Sequence, residues 1–163
     1  MLTVQGAAAL SEFRQLQLLQ RLQSVCSDIS AVSARFCHWA DLSSDLNEAE
    51  QAVLERLLQY GPTQTVAELS GWRFWVAPRL GTISPWSSKA SDIAHNSGLQ
   101  KIRRIERGVE YVLSSDKPLT SKEKAEVQAL LHDRMVEAVF TEASELSALF
   151  SHATPAPLYS IDI

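Results

Sequence analysis

The sequence predicts an α+β fold of ferredoxin-like type, an antiparallel sheet with helices packed on it. Three observations carry the prediction. Side chains alternate with period two at Ile29–Asp41 and again at Trp72–Val76. Apolar stripes at helical spacing, several with cap signals, lie between the strands and after them. The order reads strand, helix, strand, helix, then the same again, with a closing strand and a last helix. Two strand–helix–strand halves sharing one sheet satisfy that order. The halves share no evident sequence, so the repeat is one of topology.

Leu2–Gln5 alternates weakly and opens the sheet. Leu10, Phe13, Leu16, Leu19 and Leu22, with Leu18 and Val25, form a broad helical stripe and are the expected core face of the first helix. Val32, Ala34, Phe36 and His38 share one face of the next strand. Asn47 and Glu50 have capping-box spacing, Val53, Leu54, Leu57 and Leu58 continue the helix, and Gly61-Pro62 ends it. In the strand "GWRFWVAPR", Trp72, Phe74 and Val76 alternate against Arg73 and Trp75. Ser84 is an N-cap with Pro85 at the first helical position, and Gly98 suits a left-handed C-cap. "LQKIRRIERGVEYVLSS" is a long strand, expected to bend at Gly108, with Val109, Tyr111 and Leu113 on one face. Thr120 and Glu123 box the start of a helix that buries Val127, Leu130 and Leu131. Val136–Phe140 reads as a closing strand and Thr141–Phe150 as the last helix. "SHATPAP" has linker composition, and "LYSIDI" alternates like the start of another strand before the sequence stops, which fits a natural end and a cut inside a longer protein equally.

At 163 residues the chain is long enough for one domain with its own core. Its apolar runs are too short to span a bilayer, and its start lacks a basic segment before an apolar one. Two cysteines fit a reducing cytosol better than a disulfide scaffold. The net charge of −4 argues against general nucleic-acid binding. His38, His95, His132 and His152 are too scattered for a metal site, and Cys37 sits in a strand like a small core residue.

The distribution of charge is less ordinary. Between Gly71 and Glu110, seven basic residues (Arg73, Arg79, Lys89, Lys101, Arg103, Arg104 and Arg107) meet only three acids, Asp92, Glu106 and Glu110. Thr82, Ser84, Ser87 and Ser88 place hydroxyls around a helix N-terminus inside that window. Free N–H groups, hydroxyls and flanking cations suit a phosphate or carboxylate. The plainer alternative is a solvated face in which Ser84 caps its own helix. Trp39, Trp72, Trp75 and Trp86 are open to two readings, core or interface, and Trp75 beside Arg73 faces outward under the second.

The run "GTISPWSSKASDIAHNSGLQKIRRIERGVEY", with "ALSEFR", "FCHWADL", "LERLLQYGP" and "LHDRMVEAVF" in order around it, resembles the N-terminal region of the large bacterial phosphoribosylformylglycinamidine synthases. The resemblance covers essentially the whole chain. Two positions depart from the pattern: Ser97 stands where cysteine is expected, and Ser91 where threonine is usual.

The resemblance implies a cytoplasmic enzyme of purine biosynthesis that uses ATP, Mg²⁺ and glutamine to convert formylglycinamide ribonucleotide (FGAR) to the amidine, FGAM. It implies that residues 1–150 form a PurS-like double half-repeat and residues 151–163 begin the linker to a following domain. The ATP site, the Mg²⁺ carboxylates and the glutaminase triad would lie in later synthetase and glutaminase domains. No catalytic, metal or cofactor residue is then expected in this chain. Its partners would be the other domains of the parent chain, and exposing its docking face would favour self-association of the isolated fragment. A freestanding dimeric module is the other reading. Arg79, Thr82, Ser84, Ser87, Ser88, Lys89, Arg103, Arg104 and Arg107 are the candidates for an anion contact with FGAR or for interdomain docking.

Overall fold

Residues 1–61, 66–151 and 157–158 are described by the computed structural model. The elements are β1 (Leu2–Ala8), α1 (Glu12–Val25), β2 (Ile29–Leu42), α2 (Glu48–Leu57), β3 (Trp72–Pro78), α3 (Pro85–Asn96), β4 (Ile102–Ser115), α4 (Ser121–Leu131), β5 (Glu137–Phe140) and a closing 3-10 helix (Ala143–Phe150). The strands form one antiparallel sheet in the order β1-β2-β4-β3-β5. This is an α+β architecture consistent with the ferredoxin-like expectation.

The two halves are related about the central β2–β4 pair. β1 flanks β2 as β3 flanks β4. The caps Ser11 and Ser84, the strand starts Ile29 and Ile102, and the capping boxes Asn47/Glu50 and Thr120/Glu123 each lie 73 positions apart. The halves also interlock. α1 shares a core with α4, and α3 shares one with α2, so each core takes one helix from either half. Neither half closes its core alone.

All four α-helices cover the sheet face that carries Val32, Phe74, Ile105 and Leu113. The opposite face packs Cys37, Trp39, Ala77 and Phe140 against Leu146 and Leu149 of the 3-10 helix. Beyond that cover it carries Arg73, whose Nη1 lies 2.6 Å from Glu110 Oε1. Trp75 Nε1 donates to the other Glu110 oxygen at 3.2 Å, so this half-buried indole is tied to its own sheet.

Several expectations need correction. The first strand runs on to Ala8. The last helix is 3-10 and starts at Ala143. Phe13 and Leu16 are not core: they are exposed, while Leu22 is fully buried. At 100° per residue Phe13 lies diametrically opposite Leu22, so one stripe was too broad to bury at once. The β2–β4 register passes through Cys37↔Gly108 without a break, so Gly108 makes no bulge. A Cβ there would fall on the Val76 carbonyl oxygen and 2.8 Å from the Trp39 ring, and glycine is needed for that close approach. The linker and the "LYSIDI" strand fall largely outside the described residues.

Candidate functional site

α3 lies along the part of β4 that β3 does not cover. β3 pairs with β4 only from Val109 to Leu113, which leaves Ile105 without a strand partner on that side. Serines spaced along one face of α3 fill the gap. Ser87 Oγ donates to the Ile105 carbonyl at 2.5 Å, and the Ile105 N–H donates to Ser91 Oγ at 3.0 Å. Both side chains are buried because the edge of a strand must find partners somewhere. These hydroxyls complete the sheet.

Ser84 caps α3, accepting the Ser87 N–H at 3.0 Å. Its own hydroxyl donates to Glu106 Oε1 at 2.6 Å. Glu106 is fully buried. Its carboxylate also accepts the Arg107 N–H at 3.3 Å and Arg104 Nη2 at 3.4 Å. The Ser84 hydroxyl is therefore engaged by a carboxylate of the protein itself.

α3 ends in a Schellman turn: Leu99 N–H bonds the Ala94 carbonyl and Gly98 N–H the His95 carbonyl, with Gly98 at φ +88°. Thr82 Oγ1 donates to the Arg79 carbonyl at 2.6 Å. Ser88 and Lys89 are exposed, and their side chains have no polar partner among the described residues. Arg79 is exposed and donates to the Met135 carbonyl at 3.4 Å.

Strand alternation splits the arginine run. Arg103 is exposed, 3.4 Å from Asp41. Arg104 turns to the opposite face, where it meets Glu106, the Leu149 carbonyl at 3.0 Å and the Phe150 ring at 5.0 Å. Arg107 lies over Phe36 at 4.7 Å and Trp86 at 4.9 Å, and its Nη1 donates to the Tyr60 hydroxyl at 3.3 Å. Tyr60 in turn lies 2.6 Å from His38 Nε2, and His38 Nδ1 lies 3.1 Å from the Val4 carbonyl.

A carbonyl only accepts, so His38 carries its proton on Nδ1 and Nε2 accepts from Tyr60. The chain Arg107–Tyr60–His38–Val4 is then fully paired. Burial, with a smaller push from the Arg107 charge, lowers the His38 pKa to about 4 against the Val4 contact. Burial likewise holds the Tyr60 hydroxyl above its ordinary range, so it stays a donor at neutral pH. Sequence reasoning did not assign Glu106, Phe36, His38 or Tyr60 to any site. Two signals pointed that way: an acid inside a basic run, and a histidine on an otherwise apolar strand face.

A family model described as the N-terminal region of formylglycinamide ribonucleotide amidotransferase matches residues 35–150. The chain belongs to that family. The match takes in the whole β4–α3 arrangement and the arginine run, and stops at the last residue of the 3-10 helix. It sets this amidotransferase N-terminal domain in the context of purine biosynthesis.

Within the amidotransferase domain, burial first of all, then the nearby Glu110 charge, push the Cys37 thiol up to about 12, so it is not a thiolate at neutral pH. Ser97, where the family resemblance expects cysteine, is the C-cap of α3. Among the described residues no group of three His, Cys, Asp or Glu is placed to hold a metal ion. No described helix is long and apolar enough to cross a membrane.

Proposed function

We propose that residues 1–150 act as the PurS-like assembly domain of a phosphoribosylformylglycinamidine synthase, a cytoplasmic ligase, and that residues 151–163 begin its linker. The domain docks the synthetase and glutaminase parts of the same chain and helps wall the route of ammonia between them. ATP, Mg²⁺ and glutamine are used in those other parts. The observation that carries this reading is the family match over residues 35–150. The commitment of Ser84, Ser87 and Ser91 to the domain's own fold agrees with it, since these hydroxyls are engaged inside one rigid unit. Rigid placement and exclusion of water are what such a domain contributes to transfer of a reactive amine.

The test is complementation in trans. Residues 1–163 are added to the synthase lacking them, and glutamine-dependent FGAM formation is assayed. Restored turnover supports assembly. A truncated enzyme that is fully active alone ends the proposal.

A second reading keeps an anion contact. Lys89 and Ser88 sit exposed in the first turns of α3 with no partner among the described residues, which leaves them available for an FGAR phosphate. An unchanged FGAR KM for Lys89→Ala with Ser88→Ala in the full enzyme removes it.

A further inference from the structure

The 3-10 helix Ala143–Phe150 covers the sheet face that carries Cys37, Trp39, Ala77 and Phe140. It is weakly built for a cover. 3-10 geometry rarely runs beyond about four residues, because its hydrogen bonds are poorer than those of an α-helix. Here it runs for eight. Its N-cap, Glu142, makes no side-chain cap bond. Its hydrogen bonds are local: Glu145 N–H to the Glu142 carbonyl, Ser147 Oγ to the Ser144 carbonyl, and Ser151 N–H to the Ala148 carbonyl, each at 3.1 Å.

Among the described residues one hydrogen bond ties this helix to the rest of the fold, from Arg104 Nη2 to the Leu149 carbonyl at 3.0 Å. Burial of Leu146 and Leu149, and the Phe150 ring 5.0 Å from the Arg104 guanidinium, supply the rest. The helix-covered face is held differently. Four helices share two cores there, and Ser87 and Ser91 bond α3 to β4. A segment with few buried side chains and mostly local hydrogen bonds opens at lower free energy than the fold as a whole.

Arg104 is the latch, and an incomplete one. It also meets Glu106 at 3.4 Å, and its Nε is buried with no partner among the described residues. An unmade hydrogen bond on a buried cation takes back part of what docking gains, and undocking returns that N–H to water. Glu106 is the carboxylate that accepts the Ser84 hydroxyl. Ser151 follows directly on Phe150, so the latch stands between the end of this helix and the start of α3.

We propose that residues 143–150 are a strap that leaves the sheet as one unit while the helix-covered cores stay folded, with Arg104 setting how often it does so. The open state bares Cys37, Trp39, Ala77 and Phe140 and frees Arg104 from the Leu149 carbonyl. This device stands apart from the assembly reading, which complementation in trans decides separately.

Cys37 reports the opening, since its thiol is buried in the cluster that the strap covers. Residues 1–163 close all three cores with their own side chains, and this chain is treated with iodoacetamide at several urea concentrations below its unfolding transition. Alkylation of the Cys37 peptide is counted by mass spectrometry. With reclosing faster than alkylation, the rate gives the population of open molecules. Without urea it is expected at least about tenfold above the rate that the globally unfolded fraction allows, and to rise only weakly with urea, because a strap exposes little surface. Leu149→Ala, which removes a buried anchor, is expected to raise it at least about tenfold further. Arg104→Lys keeps a charge beside Glu106 but loses the planar fork, and is expected to raise it about threefold. Each variant is read against its own urea melt. Labelling that follows global unfolding in both rate and urea dependence overturns the proposal. So does fast labelling that is indifferent to either substitution, since Cys37 is then reached by another route, such as loss of β1.

Discussion

The Ser84 hydroxyl lies 2.6 Å from a carboxylate oxygen of Glu106, a residue with no exposed surface. One side chain thus caps α3 and partners a buried charge. An ordinary cap contributes about 1 kcal/mol, and a hydrogen bond to a buried charged group about 1.5–3 kcal/mol. Ser84→Ala is expected to destabilise the domain by about 2–3 kcal/mol in urea unfolding, with Ser84→Thr recovering most of it. A loss below about 1 kcal/mol means that Glu106 draws its support from Arg104 and the Arg107 N–H alone.

Arg103 and Arg107 are four residues apart in one basic run and differ in what they touch. Arg107 stacks on Phe36 and Trp86 and bonds Tyr60, while Arg103 reaches only Asp41 from an exposed position. Arg107→Met is expected to cost about 2 kcal/mol through lost cation–π contact and an unpaired Tyr60. Arg103→Met is expected to change stability by less than about 0.5 kcal/mol, as for exposed ion pairs generally. Equal urea midpoints for the two variants contradict the split.

Much of the fold was legible because local rules and tertiary packing agree. The boxes Asn47/Glu50 and Thr120/Glu123, the Ser84 cap and the Gly98 turn all form as their spacing requires. The 73-residue repeat was not legible, since Phe13 corresponds to Trp86 and Leu16 to Lys89, and the two helices bury different faces. Its trace lies in caps and register, where backbone geometry constrains residue type more than the core does. The site was legible as a place and not as chemistry. Sequence shows Ser84, Ser87 and four nearby cations, but burial decides that the serines turn inward to Glu106 and Ile105. It also decides which arginine meets aromatic rings, because partners such as Tyr60 and Arg107 are 47 positions apart.

Gly108 and Gly81 separate two reasons for glycine. Gly108 lies under the Trp39 ring and against the Val76 carbonyl, whereas Gly81 has φ +81° and open space around it. Gly108→Ala forces backbone and ring apart, and is expected to cost more than about 3 kcal/mol or to prevent soluble folding. Gly81→Ala carries only the left-handed backbone penalty of about 1 kcal/mol. Comparable losses at the two sites in thermal melts would show that Trp39 moves aside readily.

His38 gives the domain an acid-sensitive element whose direction follows from its pairing. Its folded pKa is lowered to about 4 from 6.5, so between those values the unfolded chain binds a proton that the folded chain refuses. The contribution is complete above pH 6.5 and is lost as pH falls toward 4. The whole span corresponds to roughly 3 kcal/mol. Protonation places a second donor against the Tyr60 hydroxyl and a positive charge beside Arg107, so the relay breaks where it is most deeply buried. Unfolding free energies measured from pH 7 to 4.5 are expected to fall steeply, and His38→Gln is expected to flatten the slope below pH 6.5 even though it lowers stability at pH 7. A carbon-bound ring proton of His38 that titrates near its ordinary value in NMR, in the folded protein, contradicts the neutral tautomer and the relay with it.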